Sequence, residues 1–229
     1  KHIVEGSKVA ETPQTSQIPQ YRYNIVPLSS SFFKDWLAHL MWENEEKTPG
    51  NDSLRSAINV LRGKAILKGK QYFLYNRVAP DDNGLWLDLA DKRNRAIKVT
   101  AKGWEIVNNP PILFKRYNHQ LPIPAPSREG DAWKLLDFTN LDSTDNNTRL
   151  AALCSVISYL LPLISHPAII VSGPQGSAKS WFLKLIKQLI DPSSIELLSL
   201  PKDERELAQQ LDHHWIAPYD NLSSLPKWA

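Results

Sequence analysis

The chain has 229 residues, a formal net charge of +3, a single cysteine and an apolar fraction of 42%. One cysteine excludes an internal disulfide, and the lack of a long uninterrupted apolar run excludes a transmembrane helix. The first 20 residues are polar and contain no apolar core of a secretory signal, so we expect a cytoplasmic protein without membrane contact. The weakly basic charge permits contact with nucleic acid.

The N-terminal part predicts a tail followed by an accessory α+β region over residues 21–131. Residues 1–20 are rich in Thr, Ser and Gln and show no periodicity, so we expect a mobile tail or linker. Apolar residues at helical spacing predict two helices over about residues 29–68. An alternating pattern then predicts an antiparallel β-meander over about residues 71–107, with a tight turn at Asp81-Asp82-Asn83-Gly84. The proline-dense residues 108–131 predict an extended connector.

The most informative motif is Gly173-Pro174-Gln175-Gly176-Ser177-Ala178-Lys179-Ser180. It follows the apolar run Ala168–Val171 and precedes a helical pattern, which is the layout of a phosphate-binding P-loop. In such a loop the main-chain N–H groups form an anion nest at a helix N-terminus. We therefore expect all eight residues to bind ATP, with Lys179 at the β- and γ-phosphates and the Ser180 hydroxyl on Mg²⁺.

Ala178 departs from the P-loop template, which has glycine at this position. Alanine fits there without strain if its φ is negative. The alternative interpretation of the motif is a glycine-rich turn between a strand and a helix, with Lys179 in solvent.

Asp220 is the candidate for the second protein ligand of the Mg²⁺ ion, beside Ser180. A P-loop needs a carboxylate at the end of a neighbouring strand, and Asp220 closes the apolar segment that begins at Trp215. Asn221 follows where many helicase-type ATPases have a second acidic residue, which affects the hydrolytic role rather than magnesium binding. The alternative is that Asp220-Asn221 forms a turn after a strand.

Residues 132–229 as a whole predict an α/β fold, an incomplete P-loop NTPase core with a parallel sheet and flanking helices. A helix that Asn146 or Asn147 caps runs to about Leu161, and the lone Cys154 within it is expected to be buried. Strands are predicted at Ala168–Val171, at Ile195–Leu200 and before Asp220.

Three groups of segments resemble the P-loop ATPases of phages, plasmids and integrated elements, which are similar to the helicase part of primase–helicase proteins (superfamily 3, AAA+-like). The resemblance covers roughly residues 55–229. The segments are Arg77-Val78-Ala79 with Leu85–Asp91; Gly103–Val107 with Pro110–Arg116 and Leu121–Pro124; and Gly173–Ser180 with Ile190-Asp191-Pro192 and Asp220–Ser223.

The resemblance implies an ATP-driven DNA replication motor. Lys179 and Ser180 match the phosphate and Mg²⁺ positions, and Asp220 matches the Walker B position. Single-stranded DNA would be the partner, and the full-length protein would assemble into a ring in which a neighbouring subunit supplies an arginine finger. The chain begins at Lys1 and stops soon after Asp220. We therefore expect a piece of a longer protein, an incomplete ATPase without its sensor residue.

Two other functions fit the same residues. One is a kinase that uses the loop to transfer phosphate to a small acceptor. The other is a non-hydrolysing DNA-binding or scaffold module, in which basic and aromatic residues of the β-region contact single strands. That set comprises Arg93, Arg95, Lys98, Lys102, Lys115 and Arg116 beside Trp86, Trp104, Phe114 and Tyr117. Solvated strand faces over a tryptophan core would explain the same pattern.

Overall fold

A computed structural model of the protein describes residues 25–222 and Ser224. The tail predicted over residues 1–20 lies outside the described residues. The chain divides into two compact units between Leu74 and Tyr75.

The first unit contains the two helices that the sequence predicts. They are α1 (Ser31–Glu45) and α2 (Asn51–Lys68). The Ser30 side chain caps α1, since its oxygen accepts a hydrogen bond from the main-chain N–H of Phe33 at 3.2 Å. In α2, Ile58 and Ala65 are buried.

The second unit opens with the antiparallel meander, which confirms the prediction for this region. Its four strands pair in the order β2-β3-β4-β5, and a two-residue loop joins the first two. Alternate residues of the sheet bury a core of Ala79, Trp86, Ala96 and, from β6, Phe114. The strands of this unit and the short pair beside them are β1 (Leu74–Tyr75), β2 (Val78–Asp81), β3 (Gly84–Asp88), β4 (Arg95–Thr100), β5 (Gly103–Asn108) and β6 (Leu113–Phe114).

Helices dominate the remainder of the second unit. A 3₁₀ helix that the sequence did not predict begins at Ala132, because Asp131 caps the main-chain N–H of Trp133. The helices are the 3₁₀ helix (Ala132–Phe138), α3 (Asn146–Ser158), α4 (Lys179–Ile190) and α5 (Glu204–His213). A second core forms where Val156 of α3 meets Ile186 and Ile190 of α4.

Two expectations for α3 were wrong. The N-cap residue is Asp145 and not Asn146 or Asn147. The Asp145 carboxylate accepts a hydrogen bond from the main-chain N–H of Thr148 at 3.0 Å. Cys154 is exposed rather than buried, because the helix turns Leu153 and Val156 toward the core.

The predicted parallel sheet is reduced to one bridge in the described part of the chain. Leu198 and Tyr219 form that bridge, so the segments around them run side by side in the same direction. Ala168–Val171 forms no strand, since no described segment pairs with it, and Ile170 is 86% exposed. The P-loop fold class for residues 132–229 therefore stays a prediction.

The proline-rich connector packs against the segment after α4. Gln120 and Ser193 form an antiparallel bridge, and the N–H of Leu121 donates to the carbonyl of Pro192 at 2.9 Å. The meander and the Gly173–Ser180 loop lie in the same unit. The domain boundary that the sequence predicts after residue 131 stays a prediction.

Candidate nucleotide-binding site

Three residues of the Gly173–Ser180 loop have a positive φ. Gly173 has φ 154°, Gly176 has φ 83° and Ala178 has φ 60°. At Gly173 a Cβ atom would also approach the Ser177 hydroxyl to 2.9 Å, so only glycine fits. The condition for an unstrained alanine, a negative φ, is not met: Ala178 occupies the N-cap position of α4 in the left-handed region, where the template glycine would carry no strain.

Lys179, the first residue of α4, folds back over its own loop. Its Nζ donates to the carbonyl of Gly173 at 3.0 Å and to that of Pro174 at 2.8 Å. The Ser177 hydroxyl donates to the same Pro174 carbonyl, which tightens the turn. Lys179 Nζ also lies 3.4 Å from the Ser177 Oγ, so each of the three ammonium donors has an acceptor in the loop and the positive charge is held there.

Ser180 and Asp220, the two predicted Mg²⁺ ligands, lie in direct contact. The Ser180 Oγ donates to Asp220 Oδ2 at 2.8 Å across 40 positions of sequence. The main chain holds Asp220 in place, because its N–H donates to the carbonyl of Leu198 and the N–H of Leu198 donates to the carbonyl of Pro218. Asp220 Oδ1 accepts from the N–H of Asn221 at 2.9 Å, so a local turn and the contact with Ser180 occur together.

A cleft of about 490 Å³ opens at this carboxylate. Its lining consists of Leu197, Leu198, Ser199, Leu200, Asp220, Asn221, Leu222 and Ser224.

A buried charged cluster, which the sequence did not predict, lies at the other end of α4. Asp191 is its centre: Oδ1 accepts from Arg77 Nε at 3.0 Å, and Oδ2 accepts from Lys187 Nζ at 2.6 Å. The side chains of these three residues are at most 1% exposed. Lys187 and Asp191 are four positions apart, the spacing of a helical ion pair, and this was the available sequence signal.

Burial shifts the pKa values of two groups around Asp191. It lowers the pKa of Lys187, although the Asp191 carboxylate acts in the opposite direction and raises it. Burial, followed by the nearby Lys187 charge, lowers the pKa of His214 to about 4. An ammonium only donates, so His214 Nδ1 accepts from Lys187 Nζ at 3.0 Å and the neutral ring carries its proton on Nε2.

The basic residues of the β-region are largely neutralised within the molecule. Arg95 pairs with Asp91, Lys98 with Asp81, Lys115 with Asp212 and Arg116 with Asp88. Trp86 and Phe114 are buried. The cluster of the DNA-binding hypothesis is therefore mainly a set of internal ion pairs over a core.

Within residues 25–222 and Ser224, no three or more His, Cys, Asp or Glu side chains are grouped to hold a metal ion. None of the described helices has the length and apolar character needed to cross a membrane.

Residues 132–228 match the model of a family described as actinomycete integrative conjugative element replication protein, AICE_RepA. This stretch is less than half of the chain, and it contains both the Gly173–Ser180 loop and Asp220. It is similar to a mobile-element replication protein, which agrees with the part of the resemblance that concerns mobile elements and replication. No curated protein and no solved structure matches the chain.

Proposed function

We propose that the chain binds MgATP at the Gly173–Ser180 loop and belongs to an ATPase that acts in the replication of a mobile element. The contact of Ser180 Oγ with Asp220 Oδ2 at 2.8 Å carries this proposal. A hydroxyl at the start of a helix and a carboxylate at the end of a neighbouring segment are the oxygen ligands that Mg²⁺ takes beside a P-loop.

Each residue of the site has a role that its surroundings support. Lys179 would neutralise phosphate charge, since the carbonyls of Gly173 and Pro174 hold its ammonium at the loop. The first turn of α4 would add its main-chain N–H groups and dipole. Ser180 and Asp220 would ligate Mg²⁺, which supplies charge stabilisation on the phosphates when bound.

The family match supports a role in replication for the matched stretch. We extend this to a motor of the helicase type, in which ATP hydrolysis moves single-stranded DNA through a ring of subunits. A neighbouring subunit would supply the arginine finger. Because four of the basic side chains in the β-region are already paired, the DNA contacts of such a motor would lie elsewhere.

The test compares two lysine variants in the binding of a fluorescent ATP analogue with Mg²⁺. Lys179→Ala removes the cation from the loop, and we expect at least about a tenfold loss of affinity, as for a charged hydrogen bond. Lys134→Ala, at an exposed site in the 3₁₀ helix, is the matched control and should bind like the wild type. Equal binding by both variants, or no binding by the wild type, would refute the proposal.

A further inference from the structure

Two contacts at opposite ends of α4 join this helix to residues 216–220. Ser180 meets Asp220 near the start of the helix, and Lys187 Nζ donates to the carbonyl of Ile216 at 2.6 Å near its end. Seven helical residues rise roughly 10.5 Å, and four residues span at most about 13 Å even when fully extended. The two segments are therefore of similar length, so the contact at Ile216 determines which residue arrives at Ser180.

The contact at Ile216 depends on a buried clamp that consists of Arg77, Lys187 and Asp191. Asp191 Oδ2 accepts from Lys187 and also from the main-chain N–H groups of Trp215 at 3.0 Å and Ile216 at 3.2 Å. One carboxylate oxygen thus binds both α4 and the segment that leads to Asp220.

Arg77 holds Asp191 from the side of the meander. Its Nε donates to Asp191 Oδ1, and its terminal nitrogens donate to the carbonyls of Asp88, Leu121 and Pro192 at 3.1–3.3 Å. The fully buried guanidinium of Arg77 thus donates to four acceptors at once. Because these bonds fix the guanidinium, they also fix the position of Asp191 relative to the sheet.

We propose that Arg77 and Asp191 are positioning residues for the candidate magnesium site. They hold residues 215–220 in the register that brings Asp220 to Ser180, and the consequence for Mg²⁺ rests on the proposed function. A slip of one residue would move the carboxylate by about 3.3 Å and turn its side chain to the opposite face. Either change removes the contact with Ser180.

Hydrogen exchange without any ligand tests the register itself. Asp191→Asn keeps the shape of the side chain but removes its charge, and we expect peptides over residues 215–222 to exchange at least about tenfold faster. Exchange in β2–β5 should stay unchanged, since general destabilisation would accelerate both regions. Asp142→Asn, an exposed carboxylate before α3, is the control. If Asp191→Asn lowers the folded fraction by circular dichroism, Arg77→Lys, which keeps the charge, replaces it.

Nucleotide binding then tests the consequence for Mg²⁺. In EDTA we expect the folded variant to bind the fluorescent ATP analogue within about twofold of wild type, because Lys179 and the loop are intact. The gain in affinity on adding Mg²⁺ should fall by about tenfold. Unchanged exchange over residues 215–222 would overturn the inference. Faster exchange with an undiminished Mg²⁺ effect would also overturn it. A wild type that binds no nucleotide would refute the proposed function and the magnesium role together, while the exchange result would still decide the register.

Discussion

Ser180 and Asp220 are joined by a 2.8 Å hydrogen bond from Oγ to Oδ2, although 40 positions separate them in the sequence. The contact brings a hydroxyl and a carboxylate to the start of α4, the helix whose first residue is Lys179. The proposed function assigns these two oxygens to a phosphate-bound Mg²⁺.

Ser180→Ala should weaken the Mg²⁺ effect on nucleotide affinity and leave binding in EDTA unchanged. The variant removes one oxygen ligand, and we expect about a tenfold loss, or ~1.4 kcal/mol. Titration of Mg²⁺ with the fluorescent ATP analogue measures it. Ser155→Ala is the control, since that hydroxyl donates within its own helix to the carbonyl of Ala151. An unaltered Mg²⁺ midpoint in Ser180→Ala would contradict the ligand role.

Ala178→Gly should stabilise the protein. The left-handed backbone of Ala178, with φ 60°, costs an alanine about 1–2 kcal/mol, and glycine relieves it. Part of this gain is offset by the larger conformational entropy of glycine in the unfolded chain, so we expect a net increase of roughly 0.5–1 kcal/mol in the free energy of unfolding. Urea unfolding provides the measurement.

The control for Ala178→Gly is Ala151→Gly in α3. Ala151 is an exposed residue within the helix, where glycine should destabilise by about 1 kcal/mol. Opposite signs for the two substitutions are therefore expected. A loss of stability in Ala178→Gly would show that this position does not favour glycine.

His214 should make stability fall in mild acid. Its pKa is about 4 in the folded chain against 6.5 as the ordinary value, mainly through burial, with Lys187, His119, His213 and Asp191 nearby. Above pH 6.5 the ring is neutral in both states and stability is fully retained. Between pH 6.5 and 4 the unfolded chain binds a proton that the folded chain does not, so up to roughly 3 kcal/mol is lost.

The variant His214→Gln tests this pH dependence. Glutamine has no titratable group, and its carbonyl can still accept from Lys187. The difference in the free energy of unfolding between about pH 7.5 and about pH 5 should therefore shrink in the variant. His39→Gln, at an exposed site in α1, should behave like the wild type. An equal loss of stability in His214→Gln and the wild type would assign the effect to other groups.

Lys98 and Lys115 should contribute little to single-stranded DNA binding, because Asp81 and Asp212 already pair with them. Replacing both lysines with Gln should leave the affinity for a labelled oligonucleotide, and its dependence on salt, essentially unchanged. Fluorescence anisotropy at several salt concentrations measures both quantities. A decrease of about 1.4 in the log–log slope would indicate two lost phosphate contacts and contradict this expectation.

Local patterns were sufficient to predict much of the chain. The alternation and turn residues of the meander correspond to β2–β5, and the spacing of apolar residues corresponds to α1, α2, α3 and α4. These features depend on neighbours close in sequence, where period and turn chemistry act directly. The position of the loop before α4 follows from the same local signals.

The buried clamp and the contact of Ser180 with Asp220 were decided by tertiary structure. Arg77 and Asp191 are separated by 114 positions, and charge alone does not reveal that a guanidinium becomes fully buried against a distant carboxylate. Burial, which the sequence does not specify, is what makes such a pairing necessary. The sequence by itself thus predicted the loop and its acid, Asp220, whereas long-range packing brought that acid into contact with Ser180 and buried the clamp.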